Sequence, residues 1–405
     1  MAQQLQAAAG SRVAVPCCST GRIARPSSSS RSSSRPGSSR AARRPAPQGR
    51  LEVACSLNNS TGSTVTKPAK LEARDTLRLA LPSKGRMAED TLQLLKDCQL
   101  SVVKPNPRQY VARISQLPGL EVWFQRATDV VRKIIYGDVD LGIVGLDMLA
   151  EIGNDDPGTR GATQACTTAF ADVNSLEQLR AMPWSEQSPL RVVTGYQNIA
   201  RKFFAEKGFE HVVLLSADGA LEAAPAMGSA DIILDLVSTG VTLRENNLKQ
   251  IEGGTIMHSE GALVANRRAL LERKGLLEVC HELIERLEAH LTADKYYSVI
   301  ANMRGSSAEE VSQRLLSAPG LAGLSGPTVS RVYTLGPDGR AQPHLYAAVI
   351  CVAKKQLYPA VKEIRKVGGS GVLVQPMTYI FDEEPARWRN LLDTLGVDPK
   401  TVDVA

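Results

Sequence analysis

An α/β fold that ends in a small βαββαβ sandwich is what this 405-residue sequence predicts. Three observations predict it. From Thr76 onward, short apolar runs alternate with amphipathic segments, and Gly or Asp punctuates most of the runs. From residue 296 the order of strand-like and helix-like segments changes to β, α, β, β, α, β. Hydrophobic side chains make up 43% of the chain, which supplies ordinary globular cores for two or three domains.

Taken in order, residues 77–81 read as a buried strand. Residues 88–98 read as a helix with Leu92, Leu95 and Cys98 on one face and Glu89 and Asp90 in its first turn. Further strands are expected at 120–124, 141–144, 190–194, 212–215 and 232–236. Residues 276–291 form a long helical pattern, because Leu276, Cys280, Leu283, Leu287 and Leu291 recur at steps of three and four. His281 and His290 lie on it without a partner ligand and read as structural or solvent-facing. In the last region, strands fall at 296–302, 329–334, 345–352 and 372–380. Helices at 308–316 and 357–367 separate the first pair and the last pair. That is the ferredoxin-like order. Such sandwiches bind regulatory ligands or join subunits, and the fold alone does not choose between the two.

The formal charge of +6 invites a nucleic-acid reading until it is located. Nine Arg, no Lys and one acid, Glu52, lie in residues 1–54, which leaves 39 basic and 41 acidic side chains in the remainder. The basic balance belongs to the tail, so nucleic acid is disfavoured as a partner of the folded part. The tail is rich in Ser, Pro, Ala and Arg and lacks the apolar residues a core needs. It reads as an organellar transit peptide with a plastid-type processing motif at Val53-Ala54-Cys55, leaving a mitochondrial address and a plain unstructured tail as alternatives. No apolar run approaches a membrane span. The seven cysteines are scattered without metal-ligand spacing, so neither zinc nor a disulfide scaffold is supported.

Three segments carry chemistry. The run ADIILDLVSTGVTL (230–243) reads as a strand ending at Asp235, followed by the turn Ser238-Thr239-Gly240-Val241-Thr242. Three hydroxyls and successive backbone N–H groups there can surround a phosphate, and Gly240 lets the backbone come close. Asp235 is placed to accept hydrogen bonds from a ribose whose 5′-phosphate fills the turn. The second segment, Lys84-Gly85-Arg86, flanks a glycine with two cations at a helix start, a pattern suited to polyphosphate although it is not a P-loop. The third, Arg126, follows a strand and can point into a cleft at the sheet's carboxyl edge.

Together LRLALPSKGR (77–86), FQRATDVVRKIIYGDVDLGIVGLD (124–147), the run from Ala220 to Gly254 and KVGGSGVLVQPMTYIF (366–381) resemble the long-form, plant-type ATP phosphoribosyltransferases. The resemblance runs from about Thr76 to Gly396. It implies two lobes of periplasmic-binding-protein type around the active site and a C-terminal ferredoxin-like domain that binds histidine as feedback inhibitor. It implies ATP and phosphoribosyl pyrophosphate as substrates, with Mg²⁺ carried mainly by the pyrophosphate, and dimers assembling to hexamers in the plastid stroma. Residue by residue, Ser238 to Thr242 match the 5′-phosphate loop, and Asp235 and Glu222 match acidic groups near the ribose. Lys84, Gly85, Arg86 and Arg126 match the part facing nucleotide and pyrophosphate. Asp231 falls in the same motif, with a strand cap as the other reading. Gly369, Ser370 and Gly371 are the candidate edge of the effector site, and tight-turn geometry explains those glycines equally well.

The resulting boundaries are 1–54 for the transit peptide, 55–75 for a linker, and 76–187 for the first catalytic lobe. The second lobe takes 188–254, and residues 255–292 return to the first lobe and form a connecting helix. The regulatory domain spans 293–384 and a tail 385–405. One stretch departs from the family. Residues 153–173 are short and poor in strand formers where an apolar strand crossing between lobes is expected. A true deletion leaves a lobe underpacked, and a gene-model error is the alternative. The rival function is a catalytically inactive small-molecule-binding protein of the same two-lobed fold.

Overall fold

The computed structural model describes residues 52–56, 71 and 74–402, apart from 154–164, 169–171, 218, 238–239, 336 and 338. By its internal contacts the chain divides into two compact units, one of residues up to Thr91 with Val102–Arg273, the other of Leu92–Ser101 with Lys274–Ala405.

The first unit holds two sheets. Strands β1 (Glu52–Ser56), β2 (Leu77–Pro82), β3 (Val102–Val103), β4 (Val111–Ile114), β5 (Leu120–Gln125), β6 (Leu141–Gly145) and, later in the chain, β12 (Gly261–Asn266) form a seven-stranded sheet ordered β1-β12-β6-β2-β5-β4-β3. Its centre is parallel: Leu77 to Pro82 pair with Leu120 to Gln125, and Leu79 and Ala80 with Leu141 and Gly142. The apolar runs of β2 and β6 are buried along their length, as parallel strands covered on both faces must be. Helices α1 (Arg86–Asp97), α2 (Ala127–Tyr136) and α3 (Leu146–Ile152) each follow a strand of this sheet. The α2 side chains Val130, Val131 and Ile134 pack with Ala80, Val144 and Val264. Gly142 is required there, since a Cβ would come within 2.7 Å of both Ile134 and Val130.

Strands β7 (Ala165–Thr168), β8 (Leu190–Thr194), β9 (Val212–Ser216), β10 (Ile232–Asp235) and β11 (Gln250–Thr255) form the second sheet, ordered β11-β7-β10-β8-β9. Strands β9, β8 and β10 run parallel, and β7 pairs antiparallel with β10. Helices α4 (Leu176–Arg180), α5 (Gln197–Glu206) and α6 (Val241–Glu245) accompany them. Val173, Leu176 and Leu179 share a buried cluster with Val192, Phe203, Phe204 and Ile232. Two expectations change here. Residues 173–187, assigned from sequence to the first lobe, belong to the second sheet's core. The stretch 153–173, expected to lack its crossing strand, contributes the four-residue β7, because antiparallel pairing needs only backbone groups that Ala165 to Thr168 provide. The strand β1 also straddles the expected boundary at 54, pairing in parallel with Ala262 to Asn266. Most of the expected tail and linker (1–51, 57–70 and 72–73) lies outside the described residues.

The second unit follows α7 (Arg267–Glu272) and begins its later part with α8 (Leu276–Ala293), whose Leu276, Cys280, Leu283, Ile284 and Leu287 are buried. Strands β13 (Tyr296–Met303), β14 (Thr328–Leu335), β15 (Ala341–Ala353) and β16 (Gly369–Pro376), with helices α9 (Ala308–Leu316) and α10 (Leu357–Lys366), form an antiparallel sheet ordered β14-β15-β13-β16. Val299, Ala301 and Met303 pack with Val311, Leu315, Ile350 and Ile364 in its core. This is the βαββαβ arrangement read from the sequence. The last strand starts at Gly369 and stops at Pro376, earlier than the expected 372–380.

Residues 385–405 are not a plain tail. They contain α11 (Ala386–Leu395), whose Trp388, Leu391, Leu392 and Leu395 are buried, and Trp388 meets the His281 ring of α8 edge-on at 4.9 Å. His290 also has a structural contact, its Nδ1 lying 3.2 Å from the Thr378 carbonyl. No helix among the described residues is long and apolar enough to cross a membrane.

Candidate active site

At the carboxyl edge of the first sheet, β2 and β5 end side by side, and the Ser83 N–H donates to the Gln125 carbonyl at 2.8 Å. The turn Lys84-Gly85-Arg86 therefore lies next to Arg126. Gly85 adopts φ +79°, a left-handed conformation that opens α1, and its carbonyl accepts from the Ala88 N–H at 3.0 Å. Arg86 is the first residue of α1, and Arg126 is the N-cap of α2 with no side-chain capping bond. Lys84, Arg86 and Arg126 are all exposed. Cations at helix N-termini oppose the helix dipole, whereas an anion placed among them meets both the cations and the N–H groups.

The hairpin of β3 and β4 adds to this edge. The Phe124 N–H donates to the Tyr110 carbonyl at 2.8 Å, which sets the connecting turn beside Gln125 and Arg126. That turn carries Arg108, and Lys104 Nζ sits 3.6 Å over the Phe124 ring. Sequence reading passed over both residues; the signal was two cations on a Pro-Asn-Pro turn.

At the carboxyl edge of the second sheet, β10 ends in Asp235, whose Oδ1 accepts the Leu236 N–H at 2.7 Å. Burial, then the charges of Glu222 and Asp147, push this carboxyl up to about 6. Glu222 lies on the single helical turn Leu221–Ala223, held by the buried Leu221. Gly240, at φ +66°, caps α6, and Val241 and Thr242 are exposed in its first turn. Ser238 and Thr239 lie outside the described residues.

The two edges meet. Asp147, in the first turn of α3, is buried, and the Tyr196 hydroxyl from the end of β8 donates to its Oδ2 at 2.9 Å. Burial and the Asp147 charge hold the Tyr196 hydroxyl far above the ordinary phenol range, so it stays a neutral donor. Four residues along α3, the Glu151 carboxylate accepts the Asn198 and Ile199 N–H groups at 3.0 Å, capping α5 from the other sheet. The chain thus sets a cationic edge and an edge holding Asp235, Glu222 and the Gly240 turn against one another.

Comparison with known proteins identifies the family. A family profile described as ATP phosphoribosyltransferase matches residues 126–289, and one described as the C-terminal domain of HisG matches 293–379. Over 369 residues the chain is 54% identical to ATP phosphoribosyltransferase 1, chloroplastic, of Arabidopsis thaliana, covering 86% of this chain and 90% of that one. The chain belongs to the ATP phosphoribosyltransferase family. A second Arabidopsis thaliana protein, ATP phosphoribosyltransferase 2, chloroplastic, is 53% identical over 86% of this chain and 88% of its own. The ATP phosphoribosyltransferase of Bradyrhizobium sp. (strain ORS 278) is 30% identical over 76% of this chain and 95% of its own.

Two sites read from ATP phosphoribosyltransferase motifs take a different place. Asp231 precedes β10, at the opposite end from Asp235. Its Oδ1 pairs with Arg191 Nη2 at 2.7 Å, while its Oδ2 accepts Arg191 Nε at 3.1 Å and the Arg191 backbone N–H at 2.9 Å. It latches β10 to β8, the strand-cap reading, and is not brought to the ribose side. Gly369, Ser370 and Gly371 are not a turn before the last strand but its first residues. The turn residue is Gly368, at φ +90°. A Cβ at Gly369 would collide with Ile364 Cγ2, and the Ser370 hydroxyl donates to the Asn302 carbonyl at 3.3 Å. Close packing of β16 on α10 and β13 accounts for these residues without a ligand.

Proposed function

We propose that the chain is an ATP phosphoribosyltransferase, joining N1 of the adenine of ATP to C1 of 5-phosphoribosyl 1-pyrophosphate, the first step of histidine biosynthesis. The observation that carries this reading is the pairing of edges: cations at two helix starts on one sheet, Asp235 with the Gly240 turn on the other, and Tyr196 bonded to Asp147 between them.

In the reaction the N1 lone pair forms the new N–C bond while the bond from C1 to the pyrophosphate oxygen breaks, its electrons leaving with pyrophosphate. Positive charge grows on the sugar and negative charge on the leaving group. Lys84, Arg86 and Arg126 offset the departing charge. Asp235 and Glu222 accept hydrogen bonds from the ribose hydroxyls and favour the cationic sugar, and the turn 238–242 fixes the 5′-phosphate. No covalent nucleophile is needed. The described residues contain no group of three or more His, Cys, Asp or Glu able to hold a metal ion by themselves. Mg²⁺ would be carried mainly by the pyrophosphate, with substrate phosphates and water forming its shell. When bound, it supplies positive charge to the pyrophosphate.

The 293–379 match supports the sandwich as the HisG C-terminal domain, and we read it as the regulatory domain for histidine in a homo-oligomeric enzyme. The names of the Arabidopsis relatives and the Arg- and Ser-rich residues 1–54 support a plastid address.

The test incubates the protein with ATP, phosphoribosyl pyrophosphate and Mg²⁺ and follows phosphoribosyl-ATP with and without histidine. Product that declines when histidine is added is expected. A folded sample that binds ATP but makes no product overturns the enzyme reading in favour of a binding protein of the same fold.

A further inference from the structure

Asp147 is a buried carboxylate outside the set read from the motifs, and every polar contact it makes is with a different part of the first unit. The Tyr196 hydroxyl from the second sheet donates to Oδ2, and the Ser259 hydroxyl donates to Oδ1. Ser259 lies on the segment that returns from β11 to β12, that is, from one sheet to the other, and it also accepts the Asp147 N–H at 3.3 Å. The preceding glycine is fitted to this: a Cβ at Gly145 would collide with Asp147 Oδ1. A plain core position has no use for a carboxylate, which is costly to bury unless its hydrogen bonds are made. Here they are made to the second sheet, through Tyr196, and to the segment that crosses between the sheets, through Ser259.

We infer that Asp147 is a positioning residue that acts through Tyr196 to hold the carboxyl edge of the first sheet against that of the second, an inference that rests on the proposed reading of the site. Substrate groups bound on separate edges react only when those edges are held together. The Asp147–Tyr196 bond therefore raises the fraction of molecules ready to bind both substrates, and apparent affinity scales with that fraction.

The test compares Tyr196→Phe and Asp147→Asn in the full chain by steady-state kinetics, with thermal transitions recorded for each. Tyr196→Phe keeps the ring and loses one oxygen. We expect KM for both substrates to rise about tenfold and kcat to stay within about threefold. Asp147→Asn is expected to raise both KM values similarly. Wild type that turns over while Tyr196→Phe matches its KM values overturns the clasp. Should Asp147→Asn fail to fold, Tyr196→Phe alone decides through KM. Wild type without product overturns the proposed function instead, and is told apart by that.

Discussion

Two aspartates at the two ends of one strand illustrate how little residue type decides. Asp231 has both oxygens committed to Arg191, whereas Asp235 has one bond to the Leu236 N–H and two negative neighbours. Burial raises the Asp235 carboxyl to about 6, above its unfolded value, so between about pH 4 and pH 6 the native state holds the proton more tightly than the unfolded state does. Stability therefore falls as pH rises through that window, and the penalty is complete above it, on the order of 3 kcal/mol at 1.36 kcal/mol per unit. Asp235→Asn is expected to raise the thermal midpoint by a few degrees at pH 7 and to leave it unchanged below about pH 4. The same variant should lose roughly a hundredfold or more in kcat, since an amide cannot match a carboxylate as acceptor beside a cationic sugar. Asp231→Ala should do the reverse, keeping kcat within about twofold while losing on the order of 1 kcal/mol, a modest cost because Arg191 is partly exposed. Calorimetry and turnover on both proteins check the pair. Equal loss of kcat in the two would remove Asp235 from its assigned role. For wild type, kcat/KM should fall as pH drops through about 6.

At the scale of elements, legibility followed the strength of local pattern. The parallel strands β2, β5, β6, β8 and β10 are buried apolar runs and could be read within a residue or so of their ends, as could α8 and α9. The strands that were missed draw their stability from pairing. The two residues of β3 have no periodicity to show, and β11 contains Gly253 and Gly254, poor strand formers that hold their place through β7. Helix α11 is a different case, because Trp388, Leu391, Leu392 and Leu395 recur at helical steps and the pattern was there to be read. Its length and its position at the chain's end made it resemble a tail. Trp388 is 2% exposed and Leu392 is fully buried, so deletion of residues 386–402 uncovers the α8 surface that α11 covers. The truncated protein is expected to unfold several degrees lower and to aggregate. A thermal midpoint and a size profile equal to those of the full chain would show that α11 contributes nothing to the second unit. At the proposed site, the Gly240 turn and the cations offered a local signal because each sits in a short contiguous motif. The Asp147–Tyr196 and Glu151–Asn198 contacts, which join residues 49 and 47 positions apart, were not, since only the folded chain brings them together.

For the whole molecule, the division into two units, each with its own core, separates the proposed substrate residues from the proposed inhibitor domain. Lys84, Arg86, Arg126 and Asp235, proposed to face the substrates, all belong to the first unit, and the sandwich matched by the HisG C-terminal profile belongs to the second. If histidine bound at the substrate site, it would compete there and shield only the first unit. Binding to the second unit makes inhibition a coupling between sites, and coupling in binding is reciprocal: whatever factor histidine takes from the affinity for phosphoribosyl pyrophosphate, that ligand takes from the affinity for histidine. Hydrogen exchange read separately over residues 190–255 and 296–376 tests this. Phosphoribosyl pyrophosphate alone should slow exchange in the first range, around Asp235 and Gly240, and histidine alone in the second. Titrating histidine at saturating phosphoribosyl pyrophosphate should then shift the histidine midpoint upward by the same factor that histidine imposes on the substrate, about 5- to 150-fold for a coupling of ordinary size. Histidine protection confined to the first range would place the inhibitor on the catalytic unit and leave the C-terminal sandwich as an assembly module.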